Sequence, residues 1–308
     1  MEFRHKDLLS LKQLSKDEIL YILELSKYMK EINDRKIKKV PTLKGKTVVN
    51  AFFEPSTRTR TSFEIAAKRL SADTINFTST ISSTTKGETL LDTIRNIERM
   101  KTDFFVIRHK YSGAPEFIAN NINSHVINAG DGINEHPTQA LLDLFTIKES
   151  KKSFDGLNVS IIGDITHSRV ARSNIWAMQK LGCNITLFGP QTVIPPFMED
   201  FNCKIASSIK DALLDAEVII MLRIQLERQS KILIPSLREY SLFFGLNEFN
   251  KEFLKREVIV MHPGPINRGV ELSSSIADGK HSTILNQVEN GIAVRMAILY
   301  LLNLGKAK

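Results

Sequence analysis

Residues 52–64 read FFEPSTRTRTSFE and connect a predicted strand to a predicted helix. The strand spans residues 47–53, where the side chains are apolar and often β-branched, and the helix spans residues 61–70, where apolar side chains recur at helical spacing. Pro55 lies between the two elements and marks the turn. The stretch therefore predicts a strand–turn–helix unit whose turn is rich in polar groups.

The polar groups of this turn suit a phosphate. Residues 56–62 contain five hydroxyls and two arginines. The first backbone amides of a helix have no partner within it, so they and the helix dipole can hold an anion, and Arg58 adds a planar charge. The alternative is an ordinary helix cap, since Thr61 with Glu64 fits a capping box. A cap needs only one hydroxyl, so the local chemistry favours a phosphate site.

Strands and helices alternate along most of the chain. Strands are predicted at residues 47–53, 74–77, 104–108, 125–129, 159–163, 185–188, 218–222 and 258–261, and helices at residues 61–70, 89–101, 138–149, 169–181 and 209–214. This alternation predicts an α/β fold of two domains, each a parallel sheet flanked by helices, with four strands on either side of the helix at 138–149. The length of 308 residues also suggests two domains. An apolar pattern over residues 284–304 predicts a final helix that returns to the first domain.

Composition narrows the class of protein. A hydrophobic share of 42% and a charged share of 25% are typical of a soluble globular protein. No apolar run approaches the roughly 20 residues of a membrane span, and the polar, charged start is unlike a signal peptide. We therefore expect a cytoplasmic protein that has no membrane partner. Cys183 and Cys203 have apolar or strand-like neighbours, which predicts buried, reduced thiols rather than a disulfide or a metal site.

The net charge of +8 raises the alternative of a nucleic-acid binder. The lysines are scattered, however, and no aromatic residues alternate with them as stacking platforms for bases. A positive charge serves equally well to draw anionic substrates into a cleft. We therefore expect no nucleic-acid partner.

Basic and polar residues follow several of the predicted strands. Ligands of parallel sheets bind beyond the carboxyl ends of the strands, so these residues predict an anion site. The turn at Gly163 lacks the glycine spacing of a dinucleotide site. Any one of these residues alone could be a salt-bridge partner or a structural histidine, but several at successive strand ends indicate a shared site. The residues are Arg108, His136, Gln139, Arg169, Arg223, Gln225 and the turn at 262–265.

These motifs resemble those of the aspartate/ornithine carbamoyltransferases, in order and over residues 52–268. The matching stretches are STRTR at 56–60, KGET at 86–89, HPTQ at 136–139, GD at 163–164 with Arg169, and HPGP at 262–265. The pattern R-x-Q-x-E-R at 223–228 resembles the aspartate-binding loop of the family. The patterns D-x-x-x-S-M-G and H-C-L-P, which are expected of members that act on ornithine, do not occur in the sequence.

The resemblance implies transfer of the carbamoyl group of carbamoyl phosphate to the amine of L-aspartate. The products would be N-carbamoyl-L-aspartate and phosphate, in de novo pyrimidine biosynthesis. A carbamoyl phosphate-binding domain would comprise residues 1–135 plus 285–308, and an aspartate-binding domain residues 136–284. We expect no cofactor and no metal, because no nucleotide or metal motif occurs.

The resemblance also implies roles for individual residues. Carbamoyl phosphate would contact Ser56, Thr57, Arg58, Thr59, Ser82, Lys86, Arg108, His136, Gln139, Pro263, Gly264 and Pro265, whereas aspartate would contact Lys86, Arg169, Arg223 and Gln225. The catalytic residues would be Arg58, Thr59, Lys86, Arg108 and His136. The bond between Gly264 and Pro265 is expected to be cis, as in relatives. No strong general base is evident apart from Glu54, so we expect the departing phosphate to take the proton and Glu54 to organise arginines.

The loop that contains Ser82 and Lys86 reaches a neighbouring subunit's site in the family. The resemblance therefore implies a homotrimer with shared active sites. Feedback control would need a separate regulatory chain or a partner enzyme such as dihydroorotase. Three alternatives remain open: a relative that acts on another amine such as ornithine, a phosphate-binding module without activity, and a basic nucleic-acid binder whose affinity would fall steeply with salt.

Overall fold

The computed structural model describes residues 3–78, 88–225 and 236–305. The predictions for Ser82, Lys86, Glu227 and Arg228 fall outside these ranges. The strands of the described residues are β1 (Thr47–Phe52), β2 (Asp73–Thr78), β3 (Phe104–His109), β4 (His125–Asp131), β5 (Asn158–Ile162), β6 (Asn184–Phe188), β7 (Cys203–Ile205), β8 (Val218–Met221) and β9 (Ile259–Met261). Their α-helices are α1 (Lys16–Asp34), α2 (Thr57–Arg69), α3 (Leu90–Arg99), α4 (Ala114–Ala119), α5 (Pro137–Ser150), α6 (Arg169–Leu181), α7 (Ile209–Leu214), α8 (Leu237–Phe243), α9 (Ser274–Ala277) and α10 (Ile284–Leu304).

The chain forms two compact units. One comprises Met1–Phe145 and Glu289–Lys308, and the other comprises Thr146–Val288. The two divisions fall within helices α5 and α10. The predicted α/β class, with two sheets and a C-terminal helix that returns to the first unit, is confirmed.

The first unit contains a four-stranded parallel sheet in the order β2-β1-β3-β4. Val49 and Phe105 from neighbouring strands pack with Ile94 of α3 and Ile118 of α4 in a buried cluster. Burial of such aliphatic and aromatic side chains stabilises by about 1.5–3 kcal/mol each. The buried apolar strands therefore hold the sheet in place. The polar residues that follow the strands are not part of this apolar cluster.

Helix α2 begins earlier than the sequence predicts. It starts at Thr57 rather than at residue 61, because Thr59 is buried one turn before Phe63 and extends the same buried face. The capping box considered for Thr61 and Glu64 is wrong. Glu64 instead accepts hydrogen bonds from Lys68 at 2.6 Å and from Asn76 at 2.8 Å.

Helix α1 was not among the predicted helices, although its signal is present in the sequence. The Ser15 hydroxyl accepts from the Glu18 amide at 3.2 Å, and the Glu18 carboxylate accepts from the Ser15 amide at 2.8 Å, which is a capping box. Ile19, Ile22 and Leu23 then follow at helical spacing and are buried.

The second unit contains a five-stranded parallel sheet in the order β7-β6-β5-β8-β9. The prediction of four strands in this half was wrong, because it omitted β7. That strand has only three residues at the sheet edge, and its middle residue, Lys204, is exposed, so it lacks an apolar run. Ile219 and Met221 of β8 and Val260 of β9 are buried in the core of this unit.

Both cysteines are free thiols, as predicted. Cys203 is buried and Cys183 is half-buried. Burial raises the pKa of Cys183 to about 12 and that of Cys203 to about 11, so both thiols stay protonated at neutral pH. Within the described ranges, no helix combines the length and the apolar character needed to cross a membrane.

Candidate active site

Neighbouring parallel strands of the first unit end beside the residues that the sequence singles out. Ser56 and the start of α2 follow β1, Arg108 lies near the end of β3, and His136 follows β4. Because β1, β3 and β4 are adjacent and parallel, their carboxyl ends lie on one edge of the sheet. This arrangement matches the usual location of ligand sites in parallel sheets.

The turn between β1 and α2 is rich in hydrogen-bond donors. Ser56 occupies the N-cap position with an extended backbone, but its side chain makes no capping hydrogen bond. The amide of Arg60 bonds to the Ser56 carbonyl, so the amides of residues 57–59 precede the helical ladder. Thr57 and Arg58 are exposed and Thr59 is buried. The start of α2 thus combines backbone amides with the positive end of the helix dipole, which together suit an anion.

Arg108 is held in position by its neighbours. Its Nη1 donates to the Ala129 carbonyl of β4 at 3.2 Å, and its Nε lies 3.5 Å from a Glu54 carboxylate oxygen. The Phe53 amide donates to the Arg108 carbonyl at 2.8 Å, which joins the ends of β1 and β3. The contact with Glu54 supports the hypothesis that this carboxylate organises an arginine.

His136 lies directly after a loop that is closed by the buried Asp131. The Asp131 carboxylate accepts hydrogen bonds from the amide of Gly113 at 2.7 Å, the side chain of Asn128 at 2.8 Å and the amide of Glu135 at 3.2 Å. The His136 side chain is buried, and its Nδ1 lies 3.5 Å from the Thr138 hydroxyl. A loop with these backbone restraints holds the imidazole at the start of α5.

Two further carboxylates support the same region. Glu135 is buried and accepts hydrogen bonds from the Ser10 hydroxyl and from the Leu11 amide, the latter at 2.9 Å. Asp143 is buried and accepts from the Gln139 side chain at 2.9 Å, one turn along α5. This bond orients the Gln139 amide, which the sequence nominates as a ligand of the carbamoyl group.

In the second unit, the end of β5 requires a glycine. Gly163 has a φ of +133°, and a Cβ there would lie 2.9 Å from the Leu222 carbonyl oxygen and 3.1 Å from the Tyr240 hydroxyl. Asp164 follows and is fully buried. Its carboxylate accepts from the His167 amide at 3.2 Å and lies 2.8 Å from His167 Nδ1.

Three nominated residues follow the adjacent strands β5 and β8. Arg169 is the first residue of α6, whose N-cap hydroxyl on Ser168 accepts from the Ala171 amide at 3.1 Å. Arg169 is buried, so it is not an ordinary surface arginine at the start of a helix. Arg223 Nη2 donates to Gln225 Oε1 at 3.2 Å. The backbone amide of Gln225 donates to Asp164 Oδ2 at 3.4 Å. The bond to Asp164 connects the segment after β8 to the turn after β5.

The turn at 263–265 follows β9, the next strand in the sheet. Its Gly264–Pro265 bond is cis, as expected, and Gly264 has a φ of +64°. The preceding His262 is buried and bonds to Glu271. Within each unit, therefore, the nominated residues gather at the carboxyl ends of neighbouring strands, apart from Ser82 and Lys86, which the structure does not describe.

Sequence reasoning missed the buried residues that hold these groups. Asp131, Glu135, Asp143 and Glu271 have no role in the predictions, yet each accepts hydrogen bonds beside a nominated residue. A signal was present, because charged residues are rarely fully buried unless they are paired. Asp143, for instance, interrupts the apolar run of residues 140–147.

Two family models match successive parts of the chain. The carbamoyl-P binding domain of the aspartate/ornithine carbamoyltransferases matches residues 6–149, and the Asp/Orn binding domain of the same proteins matches residues 155–302. Together they span nearly the whole sequence.

Similar proteins extend over the same length. The aspartate carbamoyltransferase catalytic subunit of Syntrophobacter fumaroxidans is 58% identical over 302 residues, which cover 98% of this chain and 99% of the relative. The catalytic subunit of the same name from Campylobacter hominis is 60% identical over 301 residues, which cover 97% of each chain.

Two solved structures share the fold. Aspartate transcarbamoylase from Trypanosoma cruzi, crystallised with carbamoyl phosphate and aspartate, has a TM-score of 0.88 and 29% identity and covers 97% of both chains. The catalytic subunit of M. jannaschii aspartate transcarbamoylase has a TM-score of 0.84 and 36% identity and covers 97% of this chain and 98% of its own.

Proposed function

Because the chain belongs to the aspartate/ornithine carbamoyltransferase family, we propose that it transfers the carbamoyl group of carbamoyl phosphate to the amine of L-aspartate. The products are N-carbamoyl-L-aspartate and phosphate. The strongest support among the residues is that Ser56 to Thr59, Arg108 and His136 lie at the carboxyl ends of three neighbouring parallel strands or just after them. The proteins of similar sequence carry the aspartate name, and the compared structure from T. cruzi holds both substrates.

In this proposal the first unit binds carbamoyl phosphate. The amides and hydroxyls at residues 56–59 hold the phosphate together with Arg58, because donors at a helix start and a planar guanidinium both suit phosphate oxygens. Arg108 neutralises charge near the bond that breaks. His136 donates to the carbonyl oxygen, and Gln139, oriented by Asp143, binds the carbamoyl amide.

The second unit binds the other substrate. Arg169, Arg223 and Gln225 hold the two carboxylates of aspartate, since a guanidinium can bind a carboxylate with two parallel hydrogen bonds.

The carbonyls of Pro263 and Gly264 accept hydrogen bonds from the amide of carbamoyl phosphate. Ser82 and Lys86 complete the ligand sets in the family, and for this chain they remain predictions.

The reaction forms one bond and breaks one. The neutral amine of aspartate attacks the carbonyl carbon, negative charge builds on the carbonyl oxygen, and the bond to the phosphate oxygen then breaks. The proton of the amine passes to the departing phosphate. Preorganised donors at the carbonyl oxygen provide much of the acceleration in such reactions.

An assay with two amines tests the substrate. Carbamoyl phosphate is supplied with L-aspartate or L-ornithine in parallel, and both phosphate release and the carbamoylated amine are measured. We expect product with aspartate alone. Product with ornithine, or with neither amine, would contradict the assignment of Arg223 and Gln225 to the aspartate carboxylates.

The role of Glu54 separates two routes for the proton. Since Glu54 lies 3.5 Å from Arg108, we propose that it organises this arginine and does not take the proton. A Glu54→Gln variant should therefore retain measurable turnover. Complete loss of turnover with both substrate affinities intact would instead identify Glu54 as the base.

We also propose a cytoplasmic homotrimer with shared active sites that acts in pyrimidine biosynthesis. The support is the family's KGET motif at residues 86–89 and the catalytic-subunit names of the relatives. Complementation tests the shared site: mixed trimers of Lys86→Ala and Arg58→Ala chains should regain activity that neither parent has. Mixtures that stay inactive would refute it. A regulatory chain or dihydroorotase as a further partner would appear as co-purification with the trimer.

A further inference from the structure

The turn at 263–265 is anchored by a buried histidine and a buried glutamate. The side chains of His262 and Glu271 are both fully buried, and His262 Nε2 lies 3.2 Å from Glu271 Oε1. On its other side, the His262 amide donates to Gln287 Oε1 at 2.9 Å. His262 is thus restrained through both its ring and its backbone.

The hydrogen bonds determine which ring nitrogen of His262 carries the proton. The Gly264 amide donates to His262 Nδ1 at 2.8 Å. A nitrogen that accepts a hydrogen bond has no proton of its own, so in the neutral ring the proton lies on Nε2. Nε2 is then the donor to Glu271, which is also held by the Asn267 amide at 2.6 Å.

Gly264 supplies the only backbone N–H with which the three-residue turn can be held. Pro263 and Pro265 lack this donor. Gly264 also adopts a φ of +64°, in the left-handed region. The bond from Gly264 to His262 is therefore the one backbone N–H bond of the turn that can fix the direction of the Pro263 and Gly264 carbonyls.

We propose that His262 and Glu271 are positioning residues that aim the Pro263 and Gly264 carbonyls at the carbamoyl amide. This inference rests on the proposed function, which gives those carbonyls to carbamoyl phosphate. Glu271 acts through His262, because it holds the ring so that Nδ1 faces the Gly264 amide. Neither side chain is assigned to the reacting atoms.

Two substitutions of His262 separate its two hydrogen bonds. In His262→Asn the amide oxygen stands where Nδ1 stood, so it can still accept from Gly264. In His262→Gln the longer side chain can still reach Glu271, but the acceptor for Gly264 is lost. The inference predicts that the glutamine variant is the more damaging, although it keeps the contact with Glu271.

The measurement compares two ligands by titration calorimetry. Phosphonoacetamide carries both a phosphonate and an amide, whereas inorganic phosphate has no amide. We expect His262→Gln to weaken binding of phosphonoacetamide about tenfold, the usual scale for one hydrogen bond, and to leave the affinity for phosphate unchanged. His262→Asn should weaken it less. His281→Asn is the matched control, because His281 also bonds the backbone through Nδ1, which donates to the Val258 carbonyl at 3.0 Å, but lies outside the nominated residues.

A second pair of variants, at Glu271, tests the inference even if a His262 variant does not fold. Glu271→Gln retains an acceptor oxygen for His262 and Asn267, whereas Glu271→Leu does not, so only the leucine variant should lose affinity for phosphonoacetamide. Unchanged affinity in both His262→Gln and Glu271→Leu overturns the inference, as does an equal loss for phosphate. If the unaltered protein binds neither ligand and transfers no carbamoyl group, the proposed function fails and the inference fails with it.

Discussion

Nη1 of Arg295 donates a hydrogen bond to the hydroxyl of Ser62 at 2.9 Å, although the two residues are 233 positions apart. The same nitrogen donates to the Gly291 carbonyl at 3.0 Å, and the guanidinium lies 5.0 Å from the centre of the Phe63 ring. Helix α10 is therefore fastened to helix α2, whose first turn carries the nominated phosphate ligands.

Arg295→Met should destabilise the protein by about 3–5 kcal/mol. Burial lowers the pKa of Arg295 to about 10, so the guanidinium stays charged at neutral pH, and the nearby charge of Asp143 opposes this shift. Removing one partner leaves a buried charge uncompensated, which is costly. Urea unfolding at pH 7 measures the change. Adding Asp143→Asn to Arg295→Met should restore part of the lost stability. The control is Arg99→Met, because Arg99 is exposed, and it is expected to change stability by at most about 0.5 kcal/mol. A loss no larger than that of Arg99→Met would show that the buried charges do not depend on each other.

Arg58→Ala should lower the rate of carbamoyl transfer about 10²–10³-fold, the usual cost of one preorganised donor. Lys68→Ala is a control on the same helix. Lys68 is exposed and pairs with Glu64 at 2.6 Å, and such surface pairs contribute little. Steady-state rates with both substrates varied provide the comparison. Equal rates for the two variants would remove Arg58 from the proposed phosphate site.

The stability contributed by His109 should decrease as the pH falls. Burial is the main cause that lowers the pKa of His109 from its ordinary value of 6.5. Below about pH 6.5 the unfolded chain binds a proton that the folded protein does not, so the free energy of unfolding falls until the lowered pKa is reached. His109→Asn removes this titration, while the amide oxygen can still accept from Tyr111, as Nδ1 does at 3.0 Å.

The quantity to measure is the difference in the free energy of unfolding between the original protein and His109→Asn. Urea unfolding from pH 7.5 to 5.5 should show the original protein losing stability relative to His109→Asn as the pH decreases. The subtraction removes the contributions of groups that the two proteins share. A gain relative to the variant would mean that the histidine is stabilised in its charged form.

Tyr240→Phe should stabilise the protein by about 1 kcal/mol. The ring is fully buried, and its hydroxyl has no hydrogen-bond partner among residues 3–78, 88–225 and 236–305. A buried polar group without a partner is costly, whereas phenylalanine keeps the packing against Phe244, whose ring centre lies 5.5 Å away. The midpoint of thermal unfolding measures the effect. Tyr240→Leu should instead destabilise by about 2 kcal/mol or more, because it leaves a cavity. A lower midpoint for Tyr240→Phe would show that the hydroxyl stabilises the folded protein.

Most strands of the two sheets, and the turns that carry the proposed ligands, could be predicted from the sequence. β8 is a continuous apolar run and β3 begins with one, and the stretch at 56–60 has a local composition that distinguishes it from an ordinary cap. The short edge strand β7 could not be predicted, because three residues with an exposed lysine carry no periodic signal. The early start of α2 was missed because its first residues are polar.

The sequence by itself determined which chemical groups stand at the ends of the strands, since apolar periodicity and turn residues act over a few neighbouring positions. Only the tertiary structure decided what holds those groups. Ser62 bonds to Arg295, and Glu135 bonds to Leu11, although more than a hundred positions separate each pair. The hydrogen bonds of His262 with Gly264 and Glu271 together decide which of its ring nitrogens carries the proton. Such bonds form between buried polar groups because each must find a partner once water is excluded, and the partner is whichever residue the packing of apolar faces brings near.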